Sequence, residues 1–234
     1  MTTAPPAATP PSIDFGRSFT FTTEDPEWVS KILIGGVFVL ACSLLVGVPF
    51  VLGYFSRTLR NVVAGLARPL PEWDDLGGLF NEGLRLTGVY LLHVLAVIVV
   101  LGVFVGILLA PMILTKAHDP ADALGPFGAL LIVAMYGLIM VVSLAVAVYL
   151  PAALVRSSLA GSVGAGLEWR ENLAFIKHNL ANYALSLVGY LVAAFVAQFG
   201  VVLCCVGFFP AAFWSYLVLA VALGQTVRLS TASS

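Results

Sequence analysis

From His178 to Val227 the chain runs 50 residues without an Asp, Glu, Lys or Arg. A membrane crossing needs ~20 apolar residues at ~1.5 Å rise each, so this stretch is long enough for two. Three further uncharged runs obey the same arithmetic: Ile32 to Ser56 with 25 residues, Leu86 to Thr115 with 30, and Ala123 to Val155 with 33. Turn chemistry at Gly207 and Pro210 divides the longest run. The sequence therefore predicts an all-α, polytopic helical membrane protein of about five transmembrane helices, at about 32–56, 87–113, 125–150, 183–204 and 208–227. With 60% hydrophobic and 10% charged residues, against ~45–50% and ~25% in soluble domains, the chain lacks the polar coat that water demands.

The flanks are short. Residues 1–18 open on an uncharged Ala, Pro and Thr stretch and read as a flexible tail, residues 19–227 as a single transmembrane domain, and 228–234 as a short C-terminal tail. No basic segment leads directly into a short apolar core, so the first span is expected to stay in the mature protein rather than leave as a signal peptide. A net charge of −1 without a basic cluster excludes a nucleic-acid footprint. Cys42, Cys204 and Cys205 lie in apolar runs, outside any disulfide framework. The adjacent pair reads as small buried residues rather than soft-metal ligands, and no cofactor or metal is expected.

Two long loops, Arg57 to Arg85 and Arg156 to Lys177, resemble each other. At an offset of 96, Arg60 matches Arg156, Ala64 matches Ala160, Gly65 matches Gly161, and Glu72-Trp73 matches Glu168-Trp169. The implied plan is span-loop-span twice, plus one closing helix, with the repeats entering the membrane in the same direction. Each loop is expected to end in an amphipathic helix lying in the interface. Asp75 caps the first, which carries Leu76, Leu79, Phe80 and Leu84; the second carries Trp169, Leu173, Ile176 and Leu180. Arg85, Arg170 and Lys177 would face headgroups. Basic residues number eight on the side with both long loops and the C-terminus, against Arg17, Lys31 and Lys116 on the other. The loops are thus predicted to be cytoplasmic in a cell membrane, with the N-terminus outside.

The strings Glu24-Asp25-Pro26-Glu27-Trp28, Lys31-Ile32-Leu33-Ile34-Gly35-Gly36, Gly53-Tyr54 and Pro69-Leu70-Pro71-Glu72-Trp73-Asp74-Asp75 carry a likeness. The chain resembles domain-of-unknown-function family 4013 of prokaryotic multi-pass membrane proteins, most strongly over Phe19 to Leu86. That resemblance implies a helical membrane bundle and implies no reaction or ligand. A Trp-bearing amphipathic helix entering a span is also similar to membrane regions attached to glycerophosphodiester phosphodiesterases, whose catalytic domain has no room here.

Candidate sites follow from residue chemistry. Glu72, Asp74 and Asp75 could hold a hard cation or a basic partner, or simply cap and charge a helix start; Arg170 and Glu171 replace the two aspartates in the second loop. Glu168 and Trp169 repeat the Glu72-Trp73 pair, and Trp28, Trp73 and Trp169 suit headgroup depth. Arg60 and Arg156 are candidate contacts for lipid phosphates. His93 is the titratable side chain placed well inside a span, with Gln198 and Gln225 as candidate hydrogen-bond partners between helices. Gly102 and Gly106 would allow close helix approach. A non-catalytic protein that binds a partner or organises lipid through its loops is the favoured reading. A small transporter or channel for an apolar or lipid-like solute is the second, because Gly47 and Pro49 interrupt the first span. An interfacial enzyme is third, since no triad order, metal spacing or phosphate loop is present. Membrane lipid, a protein partner and a second copy of the chain are the expected associates.

Overall fold

A computed structural model describes residues 12–115, 127–202 and 206–232. Among these the chain forms helices α1 (Arg17–Thr20), α2 (Trp28–Ala41), α3 (Gly47–Val63), α4 (Leu76–Thr115), α5 (Gly128–Ala160), α6 (Val163–Leu167), α7 (Trp169–His178), α8 (Leu180–Gln198) and α9 (Phe208–Ala232), with short 3₁₀ turns and no strand. Four stretches are long and apolar enough to cross a membrane: Leu76–Ile107, Leu130–Ala160, Leu180–Val202 and Phe208–Ala232. A fifth is counted when Arg17–Glu24 and Trp28–Leu44, bent by 111°, are taken together.

The stretch expected to be one span, 32–56, is instead a helical hairpin. After Ala41 the backbone tightens into a 3₁₀ turn, and Leu45 takes a left-handed φ of 63°, a conformation a β-carbon resists. Gly47 then lets α3 start against α2, since a β-carbon there would overlap the Phe38 carbonyl. Beyond the turn the two helices run back along each other: Phe38 stacks on Phe50 at 4.5 Å between ring centroids. Fourteen residues of α2 reach only about 21 Å, short of a ~30 Å hydrocarbon core.

That reversal moves the N-terminal segment. Ile13 is buried and its amide donates to Asn182 Oδ1 at 3.2 Å, at the start of α8. Asp14 and Ser18 bind Gln225 near the end of α9. Residues 12–18 are therefore packed, not a loose tail, and they share one end of the bundle with both loops and the C-terminus. The expectation that Arg17 and Lys31 lie opposite the long loops is corrected by these contacts for Arg17 and by a pairing with Glu72 of the first loop for Lys31. Lys116 falls outside the described residues.

The core sits at this end, around central helix α9. One cluster joins Phe55, Leu59, Leu86, Val155 and Leu223; the other joins Phe21, Tyr54, Leu79, Phe213 and Leu217. Helices α3 and α4 approach closely enough that a β-carbon on Gly83 would overlap the Pro49 carbonyl. Away from the core, α4 and α5 present Leu95, Ile98, Val103, Val133, Met140 and Leu144 outward, as lipid-facing helices do. Gly102 and Gly106 meet nothing within 4 Å, so their spacing packs no helix among the described residues.

The repeat has a structural cause. Helices α3 and α5 both end at a glycine with positive φ, Gly65 at 77° and Gly161 at 64°, the helix stop that glycine adopts without a β-carbon penalty. The expected loop helices turn out unequal. In the second loop α7 stands alone, with Ile176 buried, Leu173 half-buried, and Trp169 and Leu180 exposed. In the first loop no separate helix forms: Asp75 Oδ1 accepts from the Gly78 amide at 2.8 Å, and from that cap α4 continues without a break through the span. Nothing between Leu76 and Ala110 forces a stop, because no proline intervenes.

Candidate functional site

The two strings that set this chain apart meet at the loop end. Lys31, on the second turn of α2, is buried and pairs with Asp25 Oδ2 at 2.7 Å and Glu72 Oε1 at 2.5 Å. Asp25 is 3% exposed, and its Oδ1 also accepts from the Glu27 amide at 2.9 Å. Burial alone would lift its carboxyl; the bonds from Lys31 and Glu27 outweigh that and hold it below the usual carboxylate value. Glu24-Asp25-Pro26-Glu27 is thus a tight turn that places one carboxylate beneath the ammonium of the following helix.

Trp73 closes the same cluster. Its indole N–H donates to the Lys31 carbonyl at 3.1 Å. The ring lies against Tyr54 at 4.4 Å and Phe38 at 4.9 Å, with Phe213 at 5.9 Å. Tyr54 O–H donates to the Pro71 carbonyl at 2.9 Å. One side chain therefore holds α2, α3, α9 and the first loop together, and aromatic pairs of this kind add ~0.5–1.5 kcal/mol each beyond area burial. Trp28 and Trp169 remain exposed, as headgroup anchors require, whereas Trp73 is an internal clamp.

The arginines form a second tier. Arg57 bridges Asp75 Oδ2 at 2.6 Å and Glu82 Oε1 at 3.0 Å, while Arg60 binds the other oxygen of Glu82. The bond from Arg57, with that from the Gly78 amide, holds the exposed Asp75 carboxyl below its ordinary value. In the second loop Arg156 pairs with Glu168 at 2.6 Å and Glu171 at 3.3 Å. Position by position at the offset of 96, the copies keep the arginine and redistribute its acids. Arg60 and Arg156 accordingly meet carboxylates. Glu72 and Asp75 turn to different cations, Asp74 stays exposed beside them, and Glu168 and Trp169 are exposed on the second loop, with Arg170 over the Trp169 ring at 5.2 Å.

Sequence reasoning missed Arg57, Glu82 and Asn172. Arg57 and Arg60 stand at i, i+3 on α3, and a facing acid at Glu82 on α4 was the readable signal. Asn172 is fully buried and donates to Tyr149 O–H at 2.7 Å and the Gly166 carbonyl at 2.9 Å, tying α7 to α5. Within the bundle, His93 Nδ1 lies 2.8 Å from the Val89 carbonyl of its own helix and its ring 5.3 Å from Tyr149. Gln198 also turns to its own helix, toward the Ala194 carbonyl at 3.5 Å. Neither joins two spans by a hydrogen bond. Ser186 and Thr226 do, with hydroxyls 3.1 Å apart between α8 and α9. Cys204 and Cys205 lie outside the described residues.

These observations define a polytopic helical membrane protein whose charged residues, among those described, are gathered at one end. The family model described as "Protein of unknown function (DUF4013)" matches residues 36–206, and the chain belongs to that family. No curated protein and no solved structure matches it.

Proposed function

We propose that this chain is a non-catalytic membrane protein whose loop end faces the cytoplasm and binds a protein partner or organises membrane lipid. The observation that carries the reading is the gathering of charge. With α2 and α3 as a re-entrant hairpin there are four crossings, and the N-terminal segment, both loops and the C-terminus share one face. That face then holds ten of the eleven Lys and Arg residues, all except Lys116, a bias that favours the cytoplasm strongly. Ion pairs and the Trp73 clamp make the end rigid, so Asp74, Glu168 and Trp169 are presented on a preformed surface rather than on loose loops. Binding through this surface tests the reading: Asp74→Asn with Trp169→Ala should strip partner chains or specific lipids from the protein in native mass spectra. An unchanged complement would refute it.

The re-entrant hairpin favours a second reading, passage of an apolar or lipid-like solute, because broken helices at membrane depth commonly line transport sites. Away from the loop end, the described spans offer few polar groups, chiefly His93, Gln198 and scattered hydroxyls, which suits no ion or sugar. Solute flux into proteoliposomes above that of empty vesicles supports passage; equal flux removes it.

A further inference from the structure

We infer that the cleft between the N-terminal segment and the end of α9 is a binding site for a phosphate-bearing anion, with a membrane lipid headgroup as the favoured source. The cleft has a volume of about 400 Å³, and Asp14, Arg17, Gln225 and Arg228 stand in its wall. A smaller cavity of about 30 Å³ adjoins it, sharing Arg17, Gln225 and Arg228, with Phe21, Val62 and Leu66 also in its lining. Polar side chains thus dominate the wall of the larger cleft, where a headgroup would sit.

Charge points to an anion. Arg57, Arg60 and Arg156 spend their guanidinium groups on carboxylates, and Lys31 is enclosed by two. Arg17 shares its group with Glu24 at 3.2 Å, both partners being solvent-accessible. Asp14 Oδ1 is engaged by the Arg17 amide at 2.9 Å. Arg228 has no acidic partner among the described residues; its guanidinium lies over Gly65, where a β-carbon would come within 3.2 Å. An arginine in the last turns of a helix also offsets the carbonyl end of the dipole. That role alone needs neither a second arginine nor a cleft beside it. A planar fork next to a cleft suits a phosphate oxygen pair, and the re-entrant hairpin sets this place at the headgroup level of the basic face.

The inference deepens the lipid-organising side of the function proposed above and rests on it for its lipid source, but it uses different residues, so each can fail alone. Full-length protein in detergent is mixed with phosphatidylglycerol or phosphatidylcholine and read by native mass spectrometry, and its melting is followed separately with inorganic phosphate. Retention of phosphatidylglycerol is expected, reduced about tenfold or more by Arg228→Gln, the factor carried by one charge-assisted hydrogen bond. Arg17→Gln, at an accessible pair whose loss the fold tolerates, should lower retention as well. Stabilisation by inorganic phosphate without lipid retention, abolished by Arg228→Gln, would keep the site and make its source a soluble phosphate. Wild-type protein that retains neither, or a folded variant that binds as wild type does, overturns the inference. Partner or lipid capture that depends on Trp169 but not on Arg228 would leave the proposed function standing while this site falls.

Discussion

Replacing Lys31 with Met should be among the most damaging single changes outside the aliphatic core. Lys31 and Asp25 are each about 95% buried at the side chain, 2.7 Å apart. Removing one partner of a buried pair strands the other charge, at ~3–5 kcal/mol. Glu72 adds little to that figure, because its side chain is 57% exposed and an accessible pair is worth ~0–1 kcal/mol. Lys31→Met should therefore cost several times what Glu72→Gln costs. Changing both buried partners, Lys31→Met with Asp25→Leu, should restore most of the loss, since apolar replacements of a buried pair are often neutral. Denaturant unfolding in mild detergent, followed by tryptophan fluorescence, gives all four values, and the emission of Trp73 reports the cluster through its bond to the Lys31 carbonyl. A cost below ~1 kcal/mol for Lys31→Met, or a double variant no better than the single, would refute the argument that a desolvated charge is at stake.

Trp73→Ala should lose ~3–5 kcal/mol, the range for a packed aromatic, whereas Trp169→Ala, at an exposed ring, should stay within ~0.5 kcal/mol; equal losses in melting experiments would contradict the clamp. Gly83→Leu should prevent stable packing of α3 on α4 and Gly83→Ala should cost at least ~1–3 kcal/mol as overpacking, read as the yield and melting of monodisperse protein. Asp25 and Asp75 have carboxyls depressed below their unfolded values, so their contribution is complete above pH ~4 and falls away as pH drops through the depressed values. Melting temperature in detergent should decline on acidification below that point; a rise would reverse the sign.

The sequence made the membrane class and the helices α4, α5, α8 and α9 legible, because charge-free runs longer than a bilayer have no other use. The helical hairpin was hidden by the same uniformity. Residues 32–56 are uniformly apolar, and hydropathy measures length without direction. Only Gly47 and Pro49 hinted at a break, and the reversal itself rests on Leu45, a residue that gives no turn signal. The expected place of Arg17 and Lys31 shared that cause, since the contacts of their segments put both at the loop end of the bundle. For the site, the distinctive strings were readable but their meeting was not: Lys31 and Glu72 stand 41 positions apart, and nothing local says that an ammonium and a carboxylate in different strings will pair. Gly65 and Gly161 were visible as identities before their shared left-handed φ explained them.

The side of the membrane on which each terminus lies tests the account most directly. Reporters active only in the cytoplasm, fused in turn to the N-terminus and the C-terminus, should both be active, because the hairpin returns the chain to the face it entered from. Activity at the C-terminus with silence at the N-terminus would mean that residues 32–56 cross the membrane once, and the shared charged face with its Lys31–Glu72 pair would then be wrong.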